Sequence, residues 1–331
     1  MMPRFRVVVA DFLADALQPE REILGDIADV VALNATAEAD LVGHIESADA
    51  VMLYHNIAIT AATISRLQQC KLIVRCGVGF DNVDHRAARA QGIPVGNVPD
   101  YGAEEVADSA IGLMLALTRG INFFNVRLQQ RRGAWAFMDV APLHRLRGRT
   151  FGVIGLGCIG TAAALRAKAL GMDVAFYDPY KPDGYDKANG IRRVEKLDDL
   201  FAQSFVLSPH CPLTSETRHI VDARAIGLMP DGAYLVNTAR GAVVDVTAIP
   251  AAIRSGKLRG AGIDVLPFEP PPEDHPLLVA WRDPNDPCHD RVILNPHSAF
   301  YSEEGLLDMR VKGAQACRRA LLGEPLRNIV N

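Results

Sequence analysis

The sequence lacks the cysteine patterns of a metal-binding or disulfide-rich protein. Its six cysteines are scattered and none forms a CxxC pair, and a chain of 331 residues can bury a core without disulfide bonds. His210 and Cys211 are adjacent, so they cannot easily bind one metal ion together. We therefore expect reduced, mostly buried thiols and no metal site.

The sequence also lacks a basic surplus and a long apolar run near its amino end. It has 35 Lys and Arg against 39 Asp and Glu, a net charge of −4, which argues against direct binding to nucleic acid or an anionic membrane. The first apolar run, at residues 7–10, is too short for a signal peptide or a membrane span. These absences predict a cytoplasmic protein.

The chain instead alternates short β-branched runs with longer helical patterns. Predicted strands lie at residues 7–10, 30–33, 50–53, 71–74 and 93–95, and in a second series at 150–154, 173–177, 205–207, 233–236, 261–263 and 292–294. Predicted helices include residues 17–25, 38–46, 60–67, 101–119 and 303–322. This alternation indicates βαβ units, so the fold class is α/β. We expect two Rossmann- or flavodoxin-like domains, each a parallel sheet flanked by helices, with a cleft between them.

A glycine motif follows the first strand of the second series. Gly155, Gly157 and Gly160 form the pattern GxGxxG, which alone is a weak signal. Here a predicted strand precedes it and an Ala- and Leu-rich helix follows, as in dinucleotide-binding proteins. The glycines allow a tight turn, a close approach of the backbone to a pyrophosphate, and close packing of helix and strand. Cys158 and Ile159, inside the motif, belong to the same predicted site.

The acid that ends the next predicted strand selects the dinucleotide. Asp178 lies 18 residues after Gly160, where a carboxylate accepts hydrogen bonds from the adenine ribose. It would repel a 2′-phosphate, and Pro179-Tyr180 supply no arginine to bind one. The predicted cofactor is therefore NAD rather than NADP.

The motifs and helices together predict two domains. Residues 101–119, capped by Asp100, would cross from the first domain to the second, and residues 303–322, ended by Gly323, would return. The prediction is a discontinuous substrate-binding domain, residues 1–100 with 298–331, and an NAD-binding domain, residues 101–297. Seven prolines at residues 267–290 predict a long surface loop.

Chemically active residue types follow four strands of the second series. In order these are His210, Cys211 and Pro212, then Thr238, Ala239 and Arg240, then Asp264 and Glu269, and finally His297. Because the carboxyl ends of parallel strands share one edge of a sheet, we expect them near the cofactor.

Three of these residues fit hydroxy-acid oxidation. A guanidinium such as Arg240 binds a carboxylate through two hydrogen bonds, and a histidine such as His297 takes or returns the hydroxyl proton. A carboxylate such as Glu269 would orient that histidine. Taken singly, each also has a structural interpretation: Arg240 as a surface ion-pair partner, Glu269 as a loop acid, and His297 as a helix cap.

The motifs resemble those of a known family. Thr238-Ala239-Arg240-Gly241, the segment from Asp264 to Glu269-Pro270, Pro296-His297 and residues 77–84 are similar, in the same order, to the signatures of the D-isomer-specific 2-hydroxyacid dehydrogenases. The resemblance implies that Arg240 binds and polarises the substrate, with His297 as general acid/base and Glu269 as its partner.

The resemblance also implies further contacts and an assembly. Asp264 would hold the nicotinamide amide, His210 would neighbour the cofactor, and Ser109 would touch it. The backbone at Val78 and Gly79 would seat the substrate carboxylate. The resemblance further implies a homodimer formed through the cofactor domain. It also implies that the substrate is a small 2-hydroxy or 2-keto acid.

One branch of the family fits best. Tyr54-His55, Asp178-Pro179-Tyr180 and Tyr301-Ser302-Glu303 resemble the C-terminal-binding proteins, corepressors that keep the dehydrogenase fold. Arg75 lies where that branch has an arginine near the substrate. Two positions depart from the branch: Phe300 replaces a tryptophan, and Cys158 replaces a residue that is often basic.

Two functions follow as hypotheses. The first is an NAD-dependent 2-hydroxyacid dehydrogenase or 2-keto acid reductase, whose apolar pocket would include Tyr54, Phe300 and Trp135, although core packing explains such aromatics equally well. The alternative is an NAD(H)-sensing, corepressor-like binding protein with little or no turnover. The joint presence of Arg240, Glu269 and His297 favours the enzyme, since a sensor need not retain all three.

Overall fold

The fold rests on two series of parallel strands. A computed structural model describes residues 4–331. Residues 1–3 lie outside the described part of the chain. The strands are β1 (Phe5–Val9), β2 (Ala28–Ala32), β3 (Ala50–Leu53), β4 (Ile73–Arg75), β5 (Val95–Asn97), β6 (Thr150–Ile154), β7 (Asp173–Tyr177), β8 (Arg192–Arg193), β9 (Val206–Pro209), β10 (Ala233–Asn237), β11 (Leu258–Ile263) and β12 (Val292–Leu294).

Helices connect these strands throughout the chain. They are α1 (Gln18–Leu24), α2 (Ala61–Ile64), α3 (His85–Ala90), α4 (Ala103–Thr118), α5 (Ile121–Gln129), α6 (Cys158–Ala169), α7 (Tyr185–Asn189), α8 (Leu197–Gln203), α9 (Ala223–Leu228), α10 (Ile249–Arg254), α11 (Pro276–Arg282), α12 (Cys288–Arg291) and α13 (Glu303–Leu322).

The chain forms two compact units. Unit 1 contains the described residues up to Gly102 together with Tyr301–Asn331, and unit 2 contains Ala103–Phe300. Each unit is built around its own parallel sheet with helices, so the predicted α/β fold class is confirmed. Unit 1 is assembled from the two ends of the described chain.

The sheet of unit 1 has five strands in the order β2-β1-β3-β4-β5, all parallel. Its central strands are continuous apolar runs because helices cover parallel sheets on both faces. Val7, Val8 and Val9 of β1 are fully buried. Helix α13 packs on α1 and β3, so the last helix completes the core that the first strands begin.

An ion-pair cluster fixes α13 to the amino-terminal part of unit 1. The Arg310 guanidinium donates to both carboxylate oxygens of Glu20 at 2.8 and 2.7 Å, and to both oxygens of Asp15 at 2.6 and 3.0 Å. Glu20 is fully buried and Arg310 is 8% exposed. The pairing is bidentate on both acids, which satisfies the buried charge of Glu20.

The sheet of unit 2 has seven parallel strands in the order β12-β11-β10-β9-β6-β7-β8. From β6 the chain builds β7 and β8 on one side, then returns to build β9 to β12 on the other. The order therefore reverses between β6 and β9, which is where open α/β sheets bind ligands beyond the carboxyl ends of their strands. The glycine motif follows β6, so it lies at this reversal.

The predicted loop at residues 267–290 is wrong in its second half, where α11 and α12 form. Pro276 occupies the first position of α11. An N–H group at that position would have no acceptor within the helix, so a proline there costs no hydrogen bond. His275 caps the helix by accepting from the Leu277 N–H at 3.2 Å. Leu277 and Leu278 are buried, so packing overrides the proline-rich local sequence.

Two smaller predictions also differ from the structure, and one strand was missed. Helix α4 begins at Ala103, so Asp100 does not cap it and instead pairs with Lys312 at 3.2 Å. The predicted helix 38–46 is one 3₁₀ turn, Glu38–Leu41, followed by turns. Strand β8 was not predicted because its two arginines carry no apolar pattern.

All six cysteines are free thiols, and four of them are buried, as predicted. Within residues 4–331 no single helix is long and apolar enough to span a bilayer; α4 and α5 reach that length and hydropathy only as a pair, bent by 64° at their junction.

Candidate active site

His297 and Glu269 form a hydrogen-bonded pair at the carboxyl edge of the unit 2 sheet. The Nδ1 atom of His297 lies 2.6 Å from Oε2 of Glu269, whose other oxygen accepts the Leu266 N–H at 2.8 Å. Burial would raise the pKa of Glu269, but the hydrogen bond and charge of His297, the Leu266 N–H and the charge of Arg240 together lower it. Glu269 is therefore ionised at neutral pH and orients the imidazole through Nδ1.

The loop that carries His297 is fixed by Asp264. This carboxylate is 2% exposed and accepts the N–H groups of Ser298 at 2.9 Å and Ala299 at 3.1 Å, while its carbonyl accepts the His297 N–H at 2.8 Å. Burial raises the pKa of Asp264 although these backbone donors oppose it. Asp264 thus holds the histidine loop, and its predicted role toward the nicotinamide amide stays a prediction.

Ser109 and Phe300 join the same loop. Ser109 Oγ donates to the Ala299 carbonyl at 3.2 Å, so in this structure it ties α4 to the histidine loop. The Phe300 ring meets the His297 ring edge-on, with centroids 6.2 Å apart. His297 itself has a φ of 52°, a left-handed conformation in which a non-glycine residue is uncommon and which such a network maintains.

Arg240 follows β10 in a loop held by Asn237. The buried Asn237 side chain donates to the Arg240 carbonyl at 3.0 Å and accepts the Ala239 N–H at 3.1 Å. A Cβ on Gly241 would overlap the carbonyl group of Leu266, so only glycine lets this loop reach the segment that leads to Glu269. The sequence analysis assigned no individual role to Asn237 or Gly241. The signal that could have identified Asn237 is a polar residue at the end of a buried strand.

The glycine motif forms a tight turn between β6 and α6. Gly155 has a φ of 86°, and a Cβ on Gly160 would overlap the Gly155 carbonyl oxygen. Helix α6 begins at Cys158, whose side chain is exposed, while Ile159 is half-buried in its first turn. Around Gly157 there is open space, so the N-terminus of α6 is accessible to a ligand.

Asp178, at the end of β7, shapes this turn. Its carboxylate accepts the N–H groups of Leu156 at 2.9 Å and Tyr180 at 3.0 Å. The first of these contacts joins the acid directly to the glycine motif. Asp178 is therefore placed at the turn, as a ribose-binding acid must be.

Two buried polar atoms at the same edge have no hydrogen-bond partner in residues 4–331: Nδ1 of His210 and Oγ1 of Thr238. Buried polar atoms are nearly always paired, so these two are unmet groups that a polar ligand can satisfy. His210 Nε2 lies 2.9 Å from Ser208 Oγ, and burial lowers the His210 pKa to about 4, so the ring is neutral. These residues and the accessible α6 terminus fit a bound dinucleotide.

The remaining predicted cofactor residues lie at the same strand ends. Burial raises the pKa of Cys211 to about 12, which makes its thiol unreactive at neutral pH. The Pro212 carbonyl accepts from Thr217 Oγ1 at 2.6 Å. The Ala239 carbonyl accepts from Arg240 Nη1 at 2.8 Å. Among residues 4–331 no group of His, Cys, Asp or Glu is placed to hold a metal ion.

Three predicted substrate residues of unit 1 lie at the end of β4 and in the loop after it. Val78 and Gly79 are half-buried in the loop after β4, where the Val78 carbonyl accepts from Asn97 Nδ2 at 2.7 Å. Arg75 ends β4 and is 7% exposed.

Tyr54 packs in the core of unit 1. It is fully buried, and the Phe12 ring stacks on it with centroids 5.3 Å apart. The side chain after β3 thus turns inward, and the predicted contact of Tyr54 with the substrate stays a prediction.

Comparisons with known proteins show which family this chain resembles. Residues 111–299 match the model of the D-isomer specific 2-hydroxyacid dehydrogenase NAD-binding domain. D-3-phosphoglycerate dehydrogenase of Methanocaldococcus jannaschii is 36% identical over 98% of this chain, and C-terminal-binding protein 1 of Caenorhabditis elegans is 33% identical over 92%. The chain spans 59% and 42% of the lengths of these two relatives.

A solved structure extends the likeness to both units. D-lactate dehydrogenase of Aquifex aeolicus, complexed with NAD and lactic acid, superposes with a TM-score of 0.84 at 28% identity, covering 96% of each chain.

Proposed function

The chain belongs to the D-isomer-specific 2-hydroxyacid dehydrogenase family, and on that basis we propose that it transfers a hydride between NAD and a small 2-hydroxy or 2-keto acid. The observation that carries the proposal is the His297–Glu269 pair at 2.6 Å, on the same sheet edge as Arg240 and the glycine motif. The family match and the NAD-binding relative support NAD as the cofactor.

Each side chain has a role in this reaction. When bound, the nicotinamide supplies or accepts the hydride. The Arg240 guanidinium binds the substrate carboxylate and polarises the neighbouring carbonyl. His297, held through Nδ1 by Glu269, donates the proton to the carbonyl oxygen from Nε2 during reduction and removes it during oxidation. Glu269 stabilises the imidazolium and fixes its orientation.

The names of the relatives support a small acid as substrate. One is a dehydrogenase of D-3-phosphoglycerate, and another is a D-lactate dehydrogenase complexed with lactic acid. A carboxylate next to a hydroxyl carbon is common to both, and Arg240 is suited to bind such a carboxylate. We extend to this chain the substrate class and not the individual compound.

A second candidate is an NAD(H)-sensing binding protein with little turnover. The observation that favours it is the 33% identity to C-terminal-binding protein 1. Against it stands the intact set of Arg240, Glu269 and His297. Tight NADH binding without turnover on any 2-keto acid would favour this candidate over the enzyme.

The first experiment is NADH consumption against a panel of 2-keto acids, from glyoxylate to branched and aromatic members. We expect turnover on at least one member, reduced by about 100-fold or more in His297→Asn. Asparagine tolerates the left-handed backbone at this position, so the variant removes the acid/base and not the fold. His275→Asn, which replaces a helix-capping histidine by another good cap, is the control and should stay active.

We also propose a homodimer formed through unit 2. After α5 the side chains of Trp135, Phe137 and Met138 are 91%, 79% and 63% exposed. Three neighbouring large apolar side chains in contact with water are typical of a surface that binds another protein. The cytoplasmic location stays a prediction of the sequence.

A further inference from the structure

A second pocket lies at the opposite edge of the unit 2 sheet. It opens among the amino-terminal ends of β10, β11 and β12. Its polar lining consists of Tyr234, Arg259, Arg291, Asp290 and Asn122. Tyr234 and Thr238 lie near opposite ends of β10, about 13 Å apart at 3.3 Å per residue, so this pocket is separate from the cofactor edge.

Positive charge exceeds negative charge around this pocket. The buried carboxylate of Asp290 pairs with Arg127 at 3.0 Å and with Arg132 at 3.1 Å. In residues 4–331 neither Arg259 nor Arg291 forms an ion pair, so two guanidinium groups share the pocket with an acid that other arginines already neutralise.

The environment makes these charges costly. Burial lowers the pKa of Arg291, and the neighbouring charges of Arg259 and Arg127 lower it further, while the charge of Asp290 opposes this shift. The Phe123 ring face, which attracts cations, offsets part of this cost for Arg127 and Arg291, whose guanidinium groups lie 5.0 and 5.4 Å from its centroid. Like charges that are partly removed from water destabilise a protein unless a counter-charge accompanies them.

One hydrogen-bond donor at the pocket is also unsatisfied. Arg259 Nη2 donates to the carbonyls of Val140 and Ala141, but its Nε is buried without an acceptor in the described chain. Tyr234, which is 3% exposed, lines the same pocket. Surplus charge and an unmet donor therefore coincide in one pocket.

We propose that this pocket binds a small oxyanion, a phosphate or carboxylate group, through Arg259, Arg291 and the Tyr234 hydroxyl. Guanidinium groups present paired N–H donors that match such oxygens, and the phenol supplies a further donor. The ligand neutralises the two unpaired arginines. Because β10, β11 and β12 lead from this pocket to Arg240, Asp264 and His297, an anion bound here stabilises the strands that carry the active site.

The test measures thermal unfolding of the full chain with sodium phosphate or sodium citrate, against sodium chloride at equal ionic strength. Saturating NADH is present throughout, so phosphate cannot act at the glycine motif. We expect one of the two anions to raise Tm, and the apparent Kd for that anion to increase at least about tenfold in Arg291→Gln and in Tyr234→Phe. Tyr234→Phe keeps the ring and its packing, which guards against a loss of folding.

Arg224→Gln, which removes an exposed arginine paired with Asp198, is the matched control and should respond like the wild type. An equal anion effect in the wild type and both pocket variants, or none beyond that of chloride, would overturn the proposal. A change of oligomeric state in Arg291→Gln without any anion effect would also overturn it, since a second copy of the chain would then supply the counter-charge.

Discussion

The Glu269 carboxylate gives His297 a fixed negative partner. Its pKa is lowered below its ordinary value of 4.5, so the carboxylate is charged above that pH and loses its charge only as the pH falls through the lower, folded-state value. The orientation of His297 therefore persists through neutral and mildly acidic pH.

Glu269→Gln keeps an oxygen for the Leu266 N–H but removes the charge that stabilises the imidazolium. We expect kcat to fall by about 10- to 100-fold with unchanged NADH affinity, measured by steady-state kinetics and fluorescence titration. Glu273→Gln changes an exposed acid nearby, paired with Arg282, and should be neutral. Equal kcat in wild type and Glu269→Gln would remove Glu269 from the mechanism.

His210 gives a pH prediction for stability. Its folded-state pKa of about 4 lies below the ordinary 6.5, so between these values the unfolded chain binds the proton and the folded chain does not. Stability therefore falls as the pH drops from 6.5 to 4, by up to about 3 kcal/mol from this group. His210→Asn should flatten that slope in urea unfolding, whereas the exposed His44, changed to Asn, should not. Parallel slopes for all three proteins would show that the ring is not buried as described.

At the scale of structural elements, the loops after β10 and β11 depend on close contact at Gly241. Gly241→Ala forces the Arg240 loop away from Leu266, and we expect kcat/KM to fall by about tenfold or more while NADH binding is retained. Gly227→Ala, within α9 where a Cβ meets no neighbour within 4 Å, should be neutral or stabilising by about 0.5–1 kcal/mol. Full activity in Gly241→Ala would show that the two loops need not touch.

Helix α13 depends on the Arg310 cluster. Arg310→Met leaves the carboxylate of Glu20 buried without its partner, which should destabilise unit 1 by about 3–5 kcal/mol. Adding Glu20→Gln to Arg310→Met should recover part of that loss, because the unpaired charge is gone. Denaturant unfolding of both single variants and the double variant measures the coupling. Strictly additive effects would contradict a buried ion pair.

The sequence predicted the elements whose pattern is local. Buried β-branched strands such as β6 and β7 match their predicted bounds, because apolar runs and glycine turns determine them. Helix α11 was missed because its stability comes from packing of Leu277 and Leu278, which the proline-rich segment conceals. At the site, the chemically active types were recognisable from their place after strands. At Tyr54 the sequence could not separate a core residue from a pocket residue, because an aromatic residue at a strand end has the same local signal in both.

At the scale of the whole molecule, the exposed apolar segment after α5 predicts self-association. The double variant Trp135→Ser with Phe137→Ser should convert a dimer to monomers in sedimentation velocity, since stable interfaces bury at least about 1,000 Å² and depend on large apolar side chains. Leu165→Ser, an exposed apolar residue on α6, is the control. A wild-type monomer at micromolar concentration would refute the proposed assembly.

The discontinuity of unit 1 has a consequence for synthesis on the ribosome. Arg310 and Glu20 are 290 residues apart in sequence, so α13 emerges only after all of unit 2 has left the exit tunnel. At elongation rates of about 5–20 residues per second, β3 and β4 therefore wait on the order of ten seconds or longer for the helix that covers them. Unit 2, whose residues are contiguous, can fold during that interval. The nascent chain thus carries a finished cofactor domain beside an incomplete apolar sheet, and chaperones are expected to bind it at that sheet.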